Sequence, residues 1–556
     1  MIESLVHNGV LFQEPFSSKG FDCIKGVDIS LLAEEMLWKF APYTLNPKFM
    51  NDSVFMSNAM TDIMSVLPSE LQGMNFPNDF TDLFHKMNEA RVVKNAVVKP
   101  MLDEKKARKE KYGFCMRNGI RTELSNFVCE GSRFFISRGE LRGRWVSSPK
   151  AEDVEINASE DVPCTVEGHH WKNVELRQTD YVATYKINVG FGKAFIDKFV
   201  WISPNSEEKQ TDNEHKYEKA RKLILKMDEV ENAVLHDVKS DNALKRENAL
   251  ITYVVLAYGI RIGNDLGEDN FRDKNVRGAS TLKVENMILE DDFHLRLHFI
   301  GKDSVEYNES MKIDESVYAE FKKQLKNKKS DENVYLHADS VSVNKYLKSI
   351  YEGEITPKLF RTAKAGKLLA TEIQKRKWEN LDDKEFKNNL MECCLQTSLL
   401  LNHHKTVSDE MKDKAESSAE KKTESAKNTY EKTVNSINRK MKDLNDEEND
   451  YKFCLEGTFL EEKLKELQLK RNELNERLEN ARKVYDESLR EIKFKTDALD
   501  VNLSTSLNAY STPKLPISLC KYAKKNPSMI YSKTQLEKFK WALNVDEEYW
   551  KKYPNV

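Results

Sequence analysis

Hydrophobic positions along the chain change their spacing several times, and each spacing predicts a different kind of element. Between residues 112 and 203, short runs in which apolar and polar residues alternate are bounded by Gly, Pro and Asn, which is typical of strands. Residues 154–157 and 181–185 are the clearest of these runs. Residues 216–258 predict two helices, the second ending in an apolar run that Gly259 closes as a C-cap.

A β-hairpin is predicted between residues 281 and 299. Apolar and polar residues alternate over residues 281–285 and again over residues 294–299, and the acidic residues 290–292 suit the turn between them. A second turn at residues 301–303 leads into a further strand.

Capping signals place two helices farther along the chain. Thr356 suits an N-cap and Pro357 the first helical position. Ser532 and Gln535 form a capping box ahead of a helix that carries Phe539.

Residues 405–495 lose most of their aromatic residues and gain heptad spacing. An acidic stretch at residues 445–450 interrupts the pattern, which favours two helices folded back as an antiparallel hairpin that projects from the body. The alternative is a dimerising coiled coil, but both apolar seams run for only a few turns. The seam positions are Met411, Ala415, Ala426, Ile437, Met441 and Leu444, and then Leu460, Leu464, Leu467, Leu474, Leu478, Ala481 and Tyr485.

Composition bounds the function without fixing it. The 556 residues suggest roughly three to four domains. The 88 Lys and Arg residues against 91 Asp and Glu leave a net charge of −3, which argues against a generically basic nucleic-acid binder. A local basic surface remains compatible with that sum, because binding depends on where the cations lie. The 26 Phe, 20 Tyr and 7 Trp supply more than one core and exclude wholesale disorder.

Common cofactor and targeting signals are missing from the sequence. The eight cysteines are dispersed with no Cys-x-x-Cys pair, which argues against zinc and predicts a reduced, intracellular protein. No secretory signal is visible, and the longest apolar run, residues 249–260, is about half of what spans a bilayer, so no membrane contact is expected. Without P-loop, His-Glu-x-x-His or Gly-x-Ser-x-Gly motifs, we expect no metal or nucleotide cofactor.

Four cationic side chains and one tyrosine form the candidate site. Arg261, Lys302, Arg361 and His403 stand at the ends of predicted elements, and Tyr510 lies near the C-terminus. Taken singly, each has a structural explanation, such as an ion pair, a turn, a helix cap or a core ring. Residue type and spacing therefore leave their role open.

The sequence blocks around these residues resemble the eukaryotic-type DNA topoisomerases IB, in the order of that family and over most of the chain. The complete series is more specific than any one block. The matching blocks are residues 7–12, 111–115, 168–172, 260–264, 280–285, 301–304, 358–362, 401–403 and 531–542.

The resemblance implies a role for each candidate. Tyr510 would attack a DNA phosphodiester and form a 3′-phosphotyrosine. Arg261, Arg361 and His403 would stabilise charge on the non-bridging oxygens, and Lys302 would protonate the leaving 5′ oxygen as general acid. Rotation of the cut duplex before religation would relax supercoils without ATP or metal. The implied partner is double-stranded DNA, clamped by a monomer in the nucleus.

The resemblance also implies the architecture. The expected fold is an α+β multidomain protein with a mixed α/β clamp lobe, a mainly α catalytic domain of the tyrosine recombinase and topoisomerase IB type, and an antiparallel helical-hairpin linker. The expected domains are the clamp lobe at 1–205, the catalytic core at 206–404, the linker at 405–497 and the tyrosine-bearing C-terminal domain at 498–556.

Further DNA contacts are expected outside the five central residues. Arg138, Arg142 and Arg144 resemble an Arg-rich DNA-contacting segment, with Asp303 orienting Arg138, and Lys358 precedes Arg361 by one turn. The alternative for the Arg-rich segment is a solvated loop.

The chain departs from the family pattern at the tyrosine. Where the family has Ser-Lys-x-x-Tyr, this sequence has Leu507 in place of the Lys, between Ser506 and Tyr510, and Ala509 in place of the usual Asn. That Asn is implicated in binding camptothecin-type poisons, so we expect weak drug sensitivity. The segment after Gly139 is shorter than usual. The family's long charged N-terminal extension, with its import signals, is expected to be missing.

Two other functions compete. A tyrosine recombinase or integrase shares the phosphotyrosine chemistry, but it normally has His-x-x-Arg where this chain has Lys358-x-x-Arg361, and it lacks the long helical hairpin. A non-catalytic DNA-binding scaffold is the other alternative, and the complete set of five residues argues against such decay.

Overall fold

The structure is a computed structural model, and it describes residues 2–94, 101–137, 139–263, 276–302, 305–405 and 407–556. The strands are β1 Leu5–His7, β2 Cys23–Ile24, β3 Val27–Asp28, β4 Phe114–Arg117, β5 Ile120–Glu123, β6 Arg133–Phe134, β7 Trp145–Ser147, β8 Val154–Ile156, β9 Asn173–Val174, β10 Tyr181–Val189, β11 Ala194–Trp201, β12 Met287–Leu289, β13 His294–Gly301 and β14 Val305–Lys312. Asp303 falls outside the described residues, as does Arg138.

Helices dominate the second half of the chain. They are α1 Leu31–Phe40, α2 Pro47–Met50, α3 Ser53–Val66, α4 Thr81–Lys94, α5 Met101–Tyr112, α6 Glu207–Leu225, α7 Met227–Asp237, α8 Ala243–Tyr258, α9 Glu315–Leu325, α10 Ser340–Ile350, α11 Pro357–Gln374, α12 Asp383–Leu400, α13 Asp409–Cys454, α14 Gly457–Asp497, α15 Leu503–Ala509, α16 Lys514–Tyr522, α17 Lys533–Lys538 and α18 Tyr549–Lys552. None of these helices, as far as the chain is described, is long and apolar enough to cross a bilayer.

The N-terminal part is built on a six-stranded sheet in the order β6-β7-β10-β8-β9, with β11 paired to β10. The strands predicted at residues 154–157 and 181–185 are confirmed as β8 and β10. One core lies against this sheet and includes Val154, Ile187 and Val200. A second core, rich in phenylalanine, holds α1, α3 and α4 together around Phe40.

The middle and the C-terminal end of the chain share one core. It runs from Ala220 in α6 through α8, β13 and α11 to Tyr553 after α18. Gly366 in α11 makes room for that tyrosine, because a Cβ there would lie 2.7 Å from the Tyr553 hydroxyl. The segment that follows Tyr510 therefore shares a core with α6, α8 and α11.

Two predictions about local structure were wrong in detail. Residues 281–285 do not form the first hairpin strand; that strand is β12, where Met287 pairs with Leu297 of β13. Asn286 Oδ1 accepts from the Lys283 amide at 2.9 Å, which favours a 3₁₀ turn at residues 284–286. Residues 216–258 contribute to three helices instead of two, since the chain bends between α6 and α7 so that Met227 joins the core.

The helix after the C-terminal capping box is shorter than predicted. The capping box of Ser532 and Gln535 is confirmed, with the Ser532 amide donating to Gln535 Oε1 at 2.8 Å. The helix that follows, α17, ends at Lys538, so Phe539 lies just beyond it.

Helices α13 and α14 form an antiparallel hairpin. Ile437 and Leu444 of α13 are buried against Leu467 and Leu474 of α14. The predicted turn at residues 445–450 is wrong, because those residues continue α13 and the chain reverses at residues 455–456. One acidic residue of this stretch has two cationic partners: Glu448 pairs with Lys452 of its own helix and with Arg471 of α14.

The base of this hairpin is closed by backbone hydrogen bonds. The Lys405 amide donates to Asp500 O at 2.6 Å, and the Asn502 amide donates to His403 O at 2.6 Å. Because His404 also bridges Val501, the chain leaves the body and returns to it at the same place.

Candidate active site

Arg361 is the hub of the site. Thr356 caps α11, accepting from the Leu359 amide at 3.2 Å as predicted, and this fixes the first turns of the helix. The Arg361 side chain is only 3% exposed, and Nε donates to Gly259 O at 2.7 Å while Nη2 donates to Leu401 O at 2.8 Å. The guanidinium thus joins the ends of α8 and α12.

Gly259 brings the end of α8 into this arrangement. Its φ of +64° is the left-handed conformation predicted for the C-cap. A Cβ at this position would lie 2.9 Å from Leu400 O, so the close approach of α8 to the end of α12 also requires glycine.

Tyr510 meets Arg361 directly after α15. Its hydroxyl accepts from Arg361 Nη1 at 2.8 Å, and the guanidinium lies 4.6 Å from the ring centroid. The tyrosine is 7% exposed and packs on Ala365 and Leu401. A cationic donor on the phenolic oxygen stabilises negative charge there, as a tyrosine nucleophile needs.

His403 completes the contact cluster. Its Nδ1 lies 2.8 Å from Ser506 Oγ, its Nε2 lies 3.5 Å from Arg361 Nη2, and its ring centroid is 5.1 Å from that of Tyr510. Burial, followed by the charges of Arg361 and Arg261, lowers the pKa of His403 to about 3, so the imidazole is neutral at pH 7. With Nδ1 in contact with Ser506 Oγ, the ring presents Nε2 to the arginine side of the site.

Both arginines carry positive charge into the site. Burial lowers the pKa of Arg361 to about 10, which leaves the side chain protonated at neutral pH. Arg261 is partly buried, and its charge depresses the pKa of both Arg361 and His403. The charges of both guanidiniums therefore act on His403.

The other predicted site residues that the structure describes are either exposed or held in internal ion pairs. Lys302 is exposed in the turn between β13 and β14, and Lys358 is exposed one helical turn before Arg361. Arg142 donates to the Asp52 carboxylate at 2.5 Å, and Arg144 donates to the Asp62 carboxylate at 2.7 Å. Both arginine side chains are largely buried. These internal ion pairs argue against the expected DNA contacts of Arg142 and Arg144 and against a solvated loop.

Sequence reasoning missed two lysines beside the tyrosine. Lys216 Nζ donates to Ala509 O at 3.1 Å, and Lys538 Nζ donates to Asn508 O at 2.8 Å. Burial, reinforced by the charges of Lys358 and Lys538, lowers the pKa of Lys216 to about 7. Lys538 lies in the family-like block 531–542, but nothing in the sequence connected either lysine with the residues before Tyr510.

Three family models match the chain in sequence order. The DNA binding fragment of eukaryotic DNA topoisomerase I matches residues 2–202, its catalytic core matches residues 205–440, and the C-terminal topoisomerase domain matches residues 482–552. Together they account for most of the chain and include all five central residues. Arg261, Lys302, Arg361 and His403 lie in the match to the catalytic core. Tyr510 lies in the match to the C-terminal domain.

Curated relatives align over 98% of the chain. DNA topoisomerase 1 beta of Arabidopsis thaliana is 25% identical and is covered over 59% of its own length. DNA topoisomerase 1 of Caenorhabditis elegans is 26% identical with 68% covered, and that of Homo sapiens is 25% identical with 71% covered. The chain thus spans about three-fifths of the length of the plant relative. On these matches, the chain belongs to the eukaryotic DNA topoisomerase I family.

Proposed function

We propose that this chain is a type IB DNA topoisomerase that relaxes supercoiled duplex DNA without ATP or metal. The observation that carries the proposal is the buried hydrogen bond from Arg361 Nη1 to the Tyr510 hydroxyl, in a site shared with His403. A tyrosine held on a guanidinium is arranged for attack on a phosphodiester, because the same cation can stabilise charge on the phosphoryl oxygens as the bond forms.

The proposed cleavage exchanges one phosphodiester for another. Tyr510 Oη gives up its proton to solvent water and attacks the scissile phosphorus, which forms the 3′-phosphotyrosine and breaks the bond to the 5′ oxygen. Arg261, Arg361 and His403 donate to the non-bridging oxygens, and Lys302 protonates the departing 5′ oxygen. Religation is the reverse transfer, and the duplex rotates between the two steps.

The domains are proposed to share this work. Residues 1–205 and 206–404 form the two lobes of a DNA clamp, the hairpin at 405–497 is a linker beside the rotating duplex, and residues 498–556 supply the nucleophile. Exposed Lys358 is a proposed phosphate contact next to the site. Contacts from Arg138 and Asp303 remain predictions. We propose a monomeric protein that acts on double-stranded DNA in the nucleus.

Relaxation of a supercoiled plasmid in EDTA and without ATP tests the function. The wild type should relax the plasmid and Tyr510→Phe should not. The matched control is Tyr531→Phe, since that buried hydroxyl has no hydrogen-bond partner among the described residues and should be dispensable. An inactive wild type would refute the function, and relaxation by Tyr510→Phe would refute the nucleophile.

A further variant separates binding from chemistry. Lys302→Ala should slow cleavage by roughly 10²–10⁴-fold, the usual contribution of a general acid, while DNA affinity changes little because the side chain is a single exposed cation. Equal losses of cleavage and affinity would instead assign Lys302 to DNA binding.

A further inference from the structure

Helix α15, which carries Tyr510 at its end, is held by side chains from elsewhere in the fold. It is only seven residues long, and its last carbonyl groups have no acceptor role within the helix. Lys216 of α6 donates to Ala509 O and Lys538 at the end of α17 donates to Asn508 O. The two carbonyls immediately before the tyrosine are thus bound by two ammonium groups.

Cations suit this position, because the C-terminal end of a helix carries partial negative charge. A positive charge at this position nevertheless costs Lys216 desolvation energy. Its side chain is half-buried, and Nζ lies 4.0 Å from the Tyr217 ring centroid. Its depressed pKa reflects that burial and the neighbouring charges of Lys358 and Lys538. Among the described residues, no carboxylate forms an ion pair with any of these three lysines.

The middle of the same short helix contacts another group of the site. Ser506 Oγ lies 2.8 Å from His403 Nδ1, and Tyr510 itself is bonded to Arg361. Any movement of the C-terminal end of α15 would carry the Tyr510 hydroxyl away from Arg361. The lysine contacts lie at the end of the helix where such movement would be greatest.

Resting on the proposed function, we propose that Lys216, assisted by Lys538, is a positioning residue for the cleavage step. It touches neither the reacting atoms nor the phosphate in this scheme. It fixes the carbonyl before Tyr510, so that the hydroxyl stays on Arg361 when DNA enters. The Nζ donor is the operative property, since it binds the carbonyl at the end of α15.

Single-turnover cleavage of a duplex that releases a short 5′ fragment tests this role. Lys216→Met keeps the length of the side chain and removes the donor, and it should slow cleavage by about tenfold, since small displacements of a reacting group cost rate steeply. The dissociation constant for the uncut duplex should stay within about twofold, as expected for a group that acts through Tyr510.

Two further variants make the result specific. Lys216→Arg keeps a cationic donor and should restore most of the rate, which lost packing alone would not predict. Lys219→Met is the matched control, because Lys219 is exposed on the same helix and pairs with Glu354; it should cleave like the wild type. If Lys216→Met does not fold, Lys538→Met supplies the same comparison at the neighbouring carbonyl.

The outcomes separate this proposal from the function on which it rests. If the wild type cleaves and Lys216→Met cleaves equally fast, the positioning role is refuted while the topoisomerase function stands. A variant Lys216→Arg as slow as Lys216→Met would refute the role of the donor at this position. If the wild type itself forms no covalent complex with DNA, the proposed function fails first.

Discussion

Replacing Arg361 by lysine tests how much of the site depends on one planar guanidinium. Three separate nitrogens of Arg361 donate to Gly259 O, Leu401 O and the Tyr510 hydroxyl. A single ammonium at the end of a lysine is a point donor and cannot reproduce that fork. Arg361→Lys therefore keeps a positively charged side chain but loses the three-way hydrogen bonding of the guanidinium.

The magnitude follows from the acceptors that would be left unpaired. If lysine satisfies one of the three, two buried oxygens lose their donor, and each costs about 1–3 kcal/mol. We therefore expect the free energy of unfolding to fall by about 2–6 kcal/mol. The cleavage rate should fall by about 10²–10³-fold, as for other removed donors that stabilise developing charge.

Urea unfolding and single-turnover cleavage measure the two effects separately. The matched control is Arg376→Lys: Arg376 is also partly buried and pairs with Glu392 at 2.7 Å, but it makes no contact with the site. That control should lose some stability and keep its cleavage rate. The reasoning is refuted if Arg361→Lys cleaves within about threefold of the wild type.

The remaining predictions concern the surroundings of the tyrosine. Ser506→Ala should slow cleavage by about tenfold with little loss of DNA affinity, because it frees Nδ1 of His403; an unchanged rate would mean that the serine does not set the imidazole proton. His403 has a folded-state pKa of about 3, below its unfolded value, so the unfolded state takes up the proton first as pH falls. Between pH 7 and 5 the wild type should lose about 2 kcal/mol relative to His403→Asn in urea unfolding, and an equal loss in both proteins would contradict a neutral buried imidazole. Ala509→Asn should increase trapping of cleaved plasmid by a camptothecin-type poison, and low-dose trapping by the wild type would contradict the predicted weak sensitivity. With a net charge of −3, relaxation should be optimal at lower salt than in a strongly basic relative, and a salt titration of plasmid relaxation checks this.

Local signals in the sequence predicted local structure well. The C-cap at Gly259 and the N-cap at Thr356 are confirmed, because a left-handed glycine and a side-chain cap depend on only a few neighbouring residues. The turn at residues 445–450 was placed wrongly for a reason outside that range: Arg471 of the facing helix neutralises Glu448, and the helix continues. Charge density alone does not show whether a partner helix supplies the opposite sign.

The site itself could not be assembled from spacing. Arg361 and Tyr510 are 149 positions apart, and their hydrogen bond exists only because α11 and the C-terminal segment share one core. The family resemblance named both residues, but it gave no reason to connect Lys216 with Ala509. That contact crosses 293 positions and depends on where α6 packs, which no local pattern encodes.

The closed base of the α13–α14 hairpin has a mechanical consequence. At 1.5 Å per residue, the part of α14 before its ion pair from Lys483 to Glu385 of α12, residues 457–482, makes an arm roughly 40 Å long. The root of the hairpin is joined by the backbone of His403 and Asn502, one residue before α15 begins. A sideways force on the far end would reach the histidine and the tyrosine helix as a torque multiplied by that length. In the proposed mechanism, DNA that rotates against the arm would exert this torque on the residues of the site and so affect religation.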